Sequence, residues 1–311
     1  MIRNVLVLGG TGFVGRSVCE RLVERSGGGG GRIVVPTRRL AHGTHLRSLP
    51  TLELVEADVH DPGQLQRLVD GADAVIQLIA ILHGSAADLD RAHVQFPRKL
   101  AAARPRRVVH VSALGVGAQA PSDYLRSKAA GEQALAGTPL TVIRPSVIFG
   151  EHDRFLNVFA EIQSLAPVVP LGGGGARFQP VWVEDVASAV VRCLDRDDTV
   201  DKTYEAAGPT VYTLSELMRL AGRWAGHERP QIPLPGFATA LQATVMELLP
   251  GQPVMSRDNV RSMQVPNVAS GQLPGLDALG IVPTALEAIA PAYLAHSGGR
   301  ARLDRWRAAR G

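Results

Sequence analysis

The 311-residue sequence predicts an α/β protein: a doubly wound parallel sheet over residues 1–150, followed by a smaller, mostly helical domain over residues 151–311. Three observations predict it. Short β-branched runs alternate with helix-length amphipathic segments through the first half, the rhythm of βαβ units. The runs Asn4–Leu8, Arg32–Pro36, Leu52–Glu56, Ala74–Leu78, Arg107–Ser112 and Leu140–Arg144 are apolar nearly throughout, as strands covered by helices on both faces must be. After Gly150 such runs become scarce and Pro, Gly and amphipathic helices take over, leaving room for a few segments to return to the sheet.

Each element has a local reason. The first strand runs into Gly9-Gly10-Thr11-Gly12-Phe13-Val14-Gly15, and a helix over Gly15–Arg25 follows, with Val14, Val18, Leu22 and Val23 at helical spacing. In such a turn Gly9 serves the tight bend, Gly12 lets a pyrophosphate approach the backbone, and Gly15 lets helix pack on strand. The helix start offers unpaired N–H groups to the anion. The strand before and the helix after make this the turn of a Rossmann dinucleotide site, with Thr11, Phe13 and Val14 beside the glycines; the alternative is an ordinary glycine-rich turn. Glycines 27–31 then form a connector.

At the end of the second strand, where a carboxylate would receive the ribose hydroxyls of NAD(H), the sequence reads Thr37-Arg38-Arg39. Two guanidiniums suit a 2′-phosphate, so Arg38 and Arg39 favour NADP(H) over NAD(H), unless they lie in solvent. The ends of the third and fourth strands place Asp58 and Val59 at the adenine and Leu78, Ile79 and Ala80 along the cofactor, although Asp58 read alone is a turn residue. Pro145, past the sixth strand, is placed to close over the nicotinamide or else marks a plain exit from the strand. Tyr124 and Lys128 lie four apart at a helix start, on one face. An ammonium beside a phenol favours the phenolate and makes a usable proton donor or acceptor, whereas the pair read alone is a solvated helix face.

Together, the glycine turn, the strand order and Tyr124–Lys128 after the fifth strand resemble the extended, atypical branch of the short-chain dehydrogenase/reductase superfamily. The resemblance implies Tyr124 as the acid/base and Lys128 as the group that lowers its pKa and holds the nicotinamide ribose. The helper hydroxyl of that family belongs just beyond the fifth strand, where this chain has Ala113-Leu114-Gly115; Ser112, one step early, is the nearest. Residues 144–150, 153–157, 172–175, 178–186, 208–209, 213–217 and 258–260 are similar to the group containing the nucleotide-binding accessory subunit of respiratory complex I and its bacterial relatives. That likeness covers most of the chain. It implies a tightly held NADPH, a structural or assembly role and, in other relatives, a link to quinone metabolism.

Read on their own, Gly172–Gly175 make a turn, and Asp185 is an early-turn charge favoured by the helix dipole. Thr213–Glu216 and Thr284–Glu287 have the form of capping boxes. Phe237–Leu249 is a helix expected to pack in the core, and Arg300–Gly311, with five arginines, a solvated basic terminus. Composition narrows the partners. At 45% hydrophobic and 20% charged residues the chain is no disordered segment, and a net charge of +4 gives nucleic acid little support. Cys19 and Cys193 are expected as buried thiols. No apolar run reaches the roughly 18–20 residues of a membrane span, and the opening run of four ends in glycines, unlike a signal peptide, so a cytoplasmic protein is expected. His83, His93 and His110 are scattered, which predicts no metal site, with His93 exposed on a helix and His110 a satisfied buried imidazole.

Two functions compete. In one, bound NADP(H) is structural or sensory and the second domain docks a respiratory or quinone-related protein, in line with the missing hydroxyl. In the other, an NADP(H)-dependent oxidoreductase or epimerase/dehydratase moves hydride between nicotinamide and a small-molecule substrate while Tyr124 and Lys128 handle the proton. A third reading adds peripheral contact with the inner membrane through residues 237–249 or the basic tail.

Overall fold

In a computed structural model, the described residues are 2–25, 31–248 and 255–295. The connector at 27–30, Leu249 and the basic tail lie outside them. The main sheet holds β1 (Asn4–Leu8), β2 (Arg32–Thr37), β3 (Leu52–Glu56), β4 (Ala74–Gln77), β5 (Val108–Val111), β6 (Leu140–Pro145) and β7 (Lys202–Ala206). The helices in chain order are α1 (Phe13–Arg25), α2 (Pro62–Asp70), α3 (Ala86–Asp90), α4 (Phe96–Ala102), α5 (Asp123–Ala134), α6 (Leu156–Leu165), α7 (Val183–Asp195), α8 (Leu214–Trp224), α9 (Gly236–Leu248), α10 (Arg257–Ser262) and α11 (Leu286–Leu294).

Every neighbouring pair in the sheet is parallel, in the order β7-β6-β5-β4-β1-β2-β3. The six strands expected from apolar runs are present within a residue or two of their predicted ends. The seventh was not signalled: Lys202, Thr203 and Glu205 interrupt its apolar pattern, which an edge strand tolerates. One face of the sheet buries Leu6, Leu8, Val75, Val108 and Val142 against Leu65 and Val69 of α2 and Phe96 and Leu100 of α4. Each such side chain contributes about 1.5–3 kcal/mol on burial. The order reverses between β1 and β4, and in open α/β sheets the crevice at the strand C-termini beside that switch is where ligands bind.

The chain divides into two units. The first comprises residues up to 145 with 183–206 and 269–282, and the second comprises 146–182, 207–268 and the residues from 283 onward. The division is therefore not a single cut at residue 150, because α7 and β7 belong with the sheet. Cys19 on α1 and Cys193 on α7 are buried, and burial pushes both thiols up to about 12.

The second unit packs α6, α8 and α11 around Phe149, Leu156, Leu217, Ala221 and Leu286. Asp153 organises its entry: Oδ1 accepts the N–H groups of Phe155 and Leu156 at 2.8 and 2.7 Å, and Oδ2 accepts the Tyr293 hydroxyl at 2.8 Å. The capping box at Thr213 and Glu216 forms. The one predicted at Thr284 does not: α11 starts at Leu286 with no side-chain cap, and Glu287 instead accepts the Tyr212 hydroxyl at 2.5 Å. Nor is α9 a core helix on its broad face. Thr239 and Ala243 turn inward, while Phe237 (80% exposed), Leu241 and Val245 form an outward apolar stripe at i, i+4, i+8.

Candidate functional site

The turn after β1 is shaped by crowding that only glycine survives. Gly9 has φ +85°, and a Cβ there would come within 3.1 Å of the Leu78 and Ile79 backbone. A Cβ on Gly15 would lie 2.4 Å from the Gly9 carbonyl oxygen. Gly12 is exposed, and its N–H donates to Gly9 O at 3.1 Å. The first turn of α1, at Phe13, Val14 and Gly15, carries no acidic side chain. By contrast Asp61, Ser85, Ser122, Thr213 and Ser256 cap α2, α3, α5, α8 and α10. The first amides of a helix have no partner within it, so the start of α1 fits an anion such as a pyrophosphate.

Arg38 and Arg39 leave the end of β2 exposed, anchored by the Thr37 hydroxyl donating to the Arg39 carbonyl at 3.0 Å. Among the described residues neither guanidinium has a carboxylate partner, whereas Arg32 on the same strand pairs with Glu53. Burial lowers the His60 imidazole, with Asp58 opposing and the charges of Lys99, Arg38 and Arg91 adding to the lowering, which puts Arg38 near the β3 exit. There Asp58 is engaged locally: its Oδ1 accepts the His60 N–H at 2.9 Å, and its own N–H donates to Gln64 Oε1. Val59 packs on the core. At the β4 exit Leu78 and Ile79 are half-buried and Ala80 is exposed.

Two buried side chains hold that β4 exit. Gln77 Nε2 donates to Ile79 O at 3.3 Å, and the Ile81 N–H donates to His93 Nε2 at 3.1 Å. The second bond requires the proton of His93 on Nδ1, which donates to Ser127 Oγ at 2.8 Å; that hydroxyl donates to Tyr124 O at 2.8 Å. The imidazole also meets the Tyr124 ring edge-on at 5.6 Å. His93 is thus 3% exposed, not solvated, and burial, aided by the Lys128 charge, pushes it down to about 3. Residues 91–95 form a π-helical turn, and the extra residue rotates His93 off the face that α-helical spacing assigns it.

Tyr124 and Lys128 share the first turns of α5, as their spacing predicts, with Ser122 capping the helix through the Leu125 N–H at 3.2 Å. Lys128 is 3% exposed and its Nζ donates to Val111 O at 2.8 Å. Burial pushes Lys128 down to about 8, opposed by Glu132. The phenol goes the other way from its expectation: burial pushes Tyr124 up to about 12. Desolvation is what raises the phenol, and one hydrogen bond from Lys128 goes to the Val111 carbonyl.

Beyond β5 no hydroxyl stands where a helper is expected. Ala113 and Leu114 are buried, Leu114 at 1% exposure, and the Leu114 N–H donates to Pro145 O at 2.9 Å, tying Pro145 to this exit. Ser112 is buried and its Oγ has no partner. His110 is buried at 2% exposure but is not satisfied, since neither ring nitrogen has a hydrogen bond.

The comparisons with known proteins agree with this geometry. Residues 5–207 match the model of the NAD dependent epimerase/dehydratase family. The chain is 34% identical over 294 residues to the mitochondrial NADH dehydrogenase (ubiquinone) 1 alpha subcomplex subunit 9 of Mus musculus, covering 90% of this chain and 77% of that protein. It is 27% identical to a ceramide reductase of Caulobacter vibrioides, over 76% of this chain and 75% of that protein. The fold superposes on the epimerase Mth375 of Methanothermobacter thermautotrophicus with a TM-score of 0.71 at 16% identity, over 99% of this chain and 94% of that one. The family match spans more than half of the chain, which belongs to the NAD dependent epimerase/dehydratase family, with a nicotinamide dinucleotide as its cofactor class.

Proposed function

We propose that the chain holds NADP(H) in a structural or sensory role and that its second unit docks a partner in a respiratory or quinone-linked assembly. The observation that carries this reading is an intact anion-binding turn beside an incomplete proton-transfer set, with Ala113 and Leu114 buried at the helper position. In this reading Gly9, Thr11, Gly12, Phe13, Val14 and Gly15 receive the pyrophosphate, and Arg38 and Arg39 the 2′-phosphate. Asp58 and Val59 flank the adenine, Leu78, Ile79, Ala80 and Pro145 line the nicotinamide half, and Tyr124 and Lys128 hold its ribose. The respiratory context rests on likeness to the mouse protein, whose name makes it a subunit of NADH dehydrogenase. The exposed stripe of α9 supplies an apolar face for a protein partner. Among the described residues no helix is long and apolar enough to cross a membrane, so attachment at the inner membrane would be peripheral.

A second reading draws on the retained Tyr124–Lys128 pair and the likeness to a reductase. A bound nicotinamide supplies hydride transfer, and the chain would then act as an oxidoreductase or epimerase/dehydratase with Tyr124, Lys128 and Ser112 around the substrate. Mass spectrometry of the nucleotide released from purified protein, together with Tyr124→Phe, separates the readings. Retained NADPH and unchanged partner binding in the variant support the structural role; loss of a measured turnover with cofactor retained supports the enzyme.

A further inference from the structure

Beneath α5 the sheet carries polar groups that nothing among the described residues satisfies. Gln77 on β4 and His110 on β5 are in register. They stand on the face whose other positions, Val75, Val108 and Val142, belong to the apolar core. Gln77 commits its Nε2 to the Ile79 carbonyl, which fixes the orientation of the amide and leaves Oε1 an acceptor without a donor. Both nitrogens of His110 and the hydroxyl of Ser112, two residues on, are also buried and unpartnered. A neutral imidazole presents one donor and one acceptor, so these four atoms call for hydrogen bonds of both kinds.

Buried polar groups are paired as a rule, with protein or with ordered water. The titratable groups facing His110 are Lys128 on α5 and His93 on the π-helical turn, and Lys128 itself faces Glu132. Lys128 already supplies a positive charge, which excludes a cation. The two ring nitrogens point in different directions, so more than one small neutral group that both donates and accepts is needed to answer all four atoms, and water is the smallest of that class.

We propose that Gln77, His110 and Ser112 line an internal hydration site under Lys128, whose waters bridge these side chains and also solvate the Lys128 ammonium. The site is independent of which dinucleotide binds, so it stands or falls separately from the NADP(H) reading. Water near the ammonium favours its charged form, and removing that water deepens the desolvation of Lys128.

A high-resolution crystal structure of the full chain is the first test. The proposal expects an ordered water about 2.7–3.2 Å from both Gln77 Oε1 and a His110 ring nitrogen. A direct Gln77–His110 hydrogen bond, or a dry contact, overturns it. His110→Phe is the second test, read by NMR titration of lysine labelled at the ε-carbon. The Lys128 midpoint should fall by about one pH unit, a tenfold loss of proton affinity, and His110→Asn should restore most of it. An unmoved midpoint in His110→Phe, accompanied by higher thermal stability, means the ring was a dry orphan and sinks the proposal. If His110→Phe does not fold, the wild-type crystal structure decides.

Discussion

The turn after β1 and the end of β5 lie at the C-terminal ends of strands in one parallel sheet but are specified in opposite ways. The turn is made by absent side chains. A Cβ on Gly15 would strike the Gly9 carbonyl oxygen at 2.4 Å, and on our reading the segment offers backbone amides to a pyrophosphate. The end of β5 is made by present side chains gathered from far apart: Gln77, His93, His110, Tyr124 and Lys128 come from β4, a π-helical turn, β5 and α5. The first region is fixed by local chain geometry, and the second is a cluster of polar side chains whose protonation burial shifts. A chain can keep the first while the second drifts from catalysis, and the buried Leu114 beside an elevated Tyr124 phenol fits that separation.

The sharpest way to break this contrast is Gly15→Val. The added side chain has no room against Gly9 and Gly10, so we expect a loss of stability of about 3 kcal/mol or more and no dinucleotide binding. Thermal melts with and without added NADPH check both; a normal melt with cofactor stabilisation would mean the turn tolerates bulk. The polar network is tested by acid. His93 takes a proton near pH 3 when folded but near 6.5 when unfolded, so between these values the unfolded state binds more protons. Its contribution is intact above pH 6.5 and is lost as pH falls toward 3, amounting to about 5 kcal/mol in all. Urea melts across that range should show a shallower acid loss in His93→Asn than in the wild type.

Smaller effects sharpen the comparison. Arg38→Ala with Arg39→Ala should weaken NADPH binding about tenfold to a hundredfold and leave NADH nearly unchanged, because exposed charge-assisted contacts to one phosphate are all that is removed. Isothermal titration with both nucleotides measures it. Smallest is Thr213→Ala in the second unit, where loss of a capping box should cost about 1 kcal/mol and leave nucleotide affinity untouched.

What the sequence made legible follows the same division. Six of the sheet strands, the glycine turn and the paired arginines are written in consecutive residues, and apolar runs or missing side chains mark them directly. Strand β7 escaped because an edge position admits Lys202 and Glu205. Thr284 imitated a cap, but the demand of the Tyr212 hydroxyl drew Glu287 away. The burial of His93 was invisible because helical spacing assumes 3.6 residues per turn, and one π-helical turn shifts the face. The Tyr124 phenol is raised rather than lowered because sequence shows its adjacency to Lys128 but not its burial, which is the cause of the shift. The outward stripe of α9 was hidden because apolar periodicity says which residues share a face, not whether anything covers it.

The central claim is that the glycine turn together with Arg38 and Arg39, which have no carboxylate partner among the described residues, holds a dinucleotide bearing a 2′-phosphate. Calorimetric titration of nucleotide-stripped protein with NADPH and with NADH tests it most directly. The account predicts NADPH binding at least tenfold tighter, with the preference shrinking as salt screens the phosphate. Equal affinity, tighter NADH or no binding of either would contradict it.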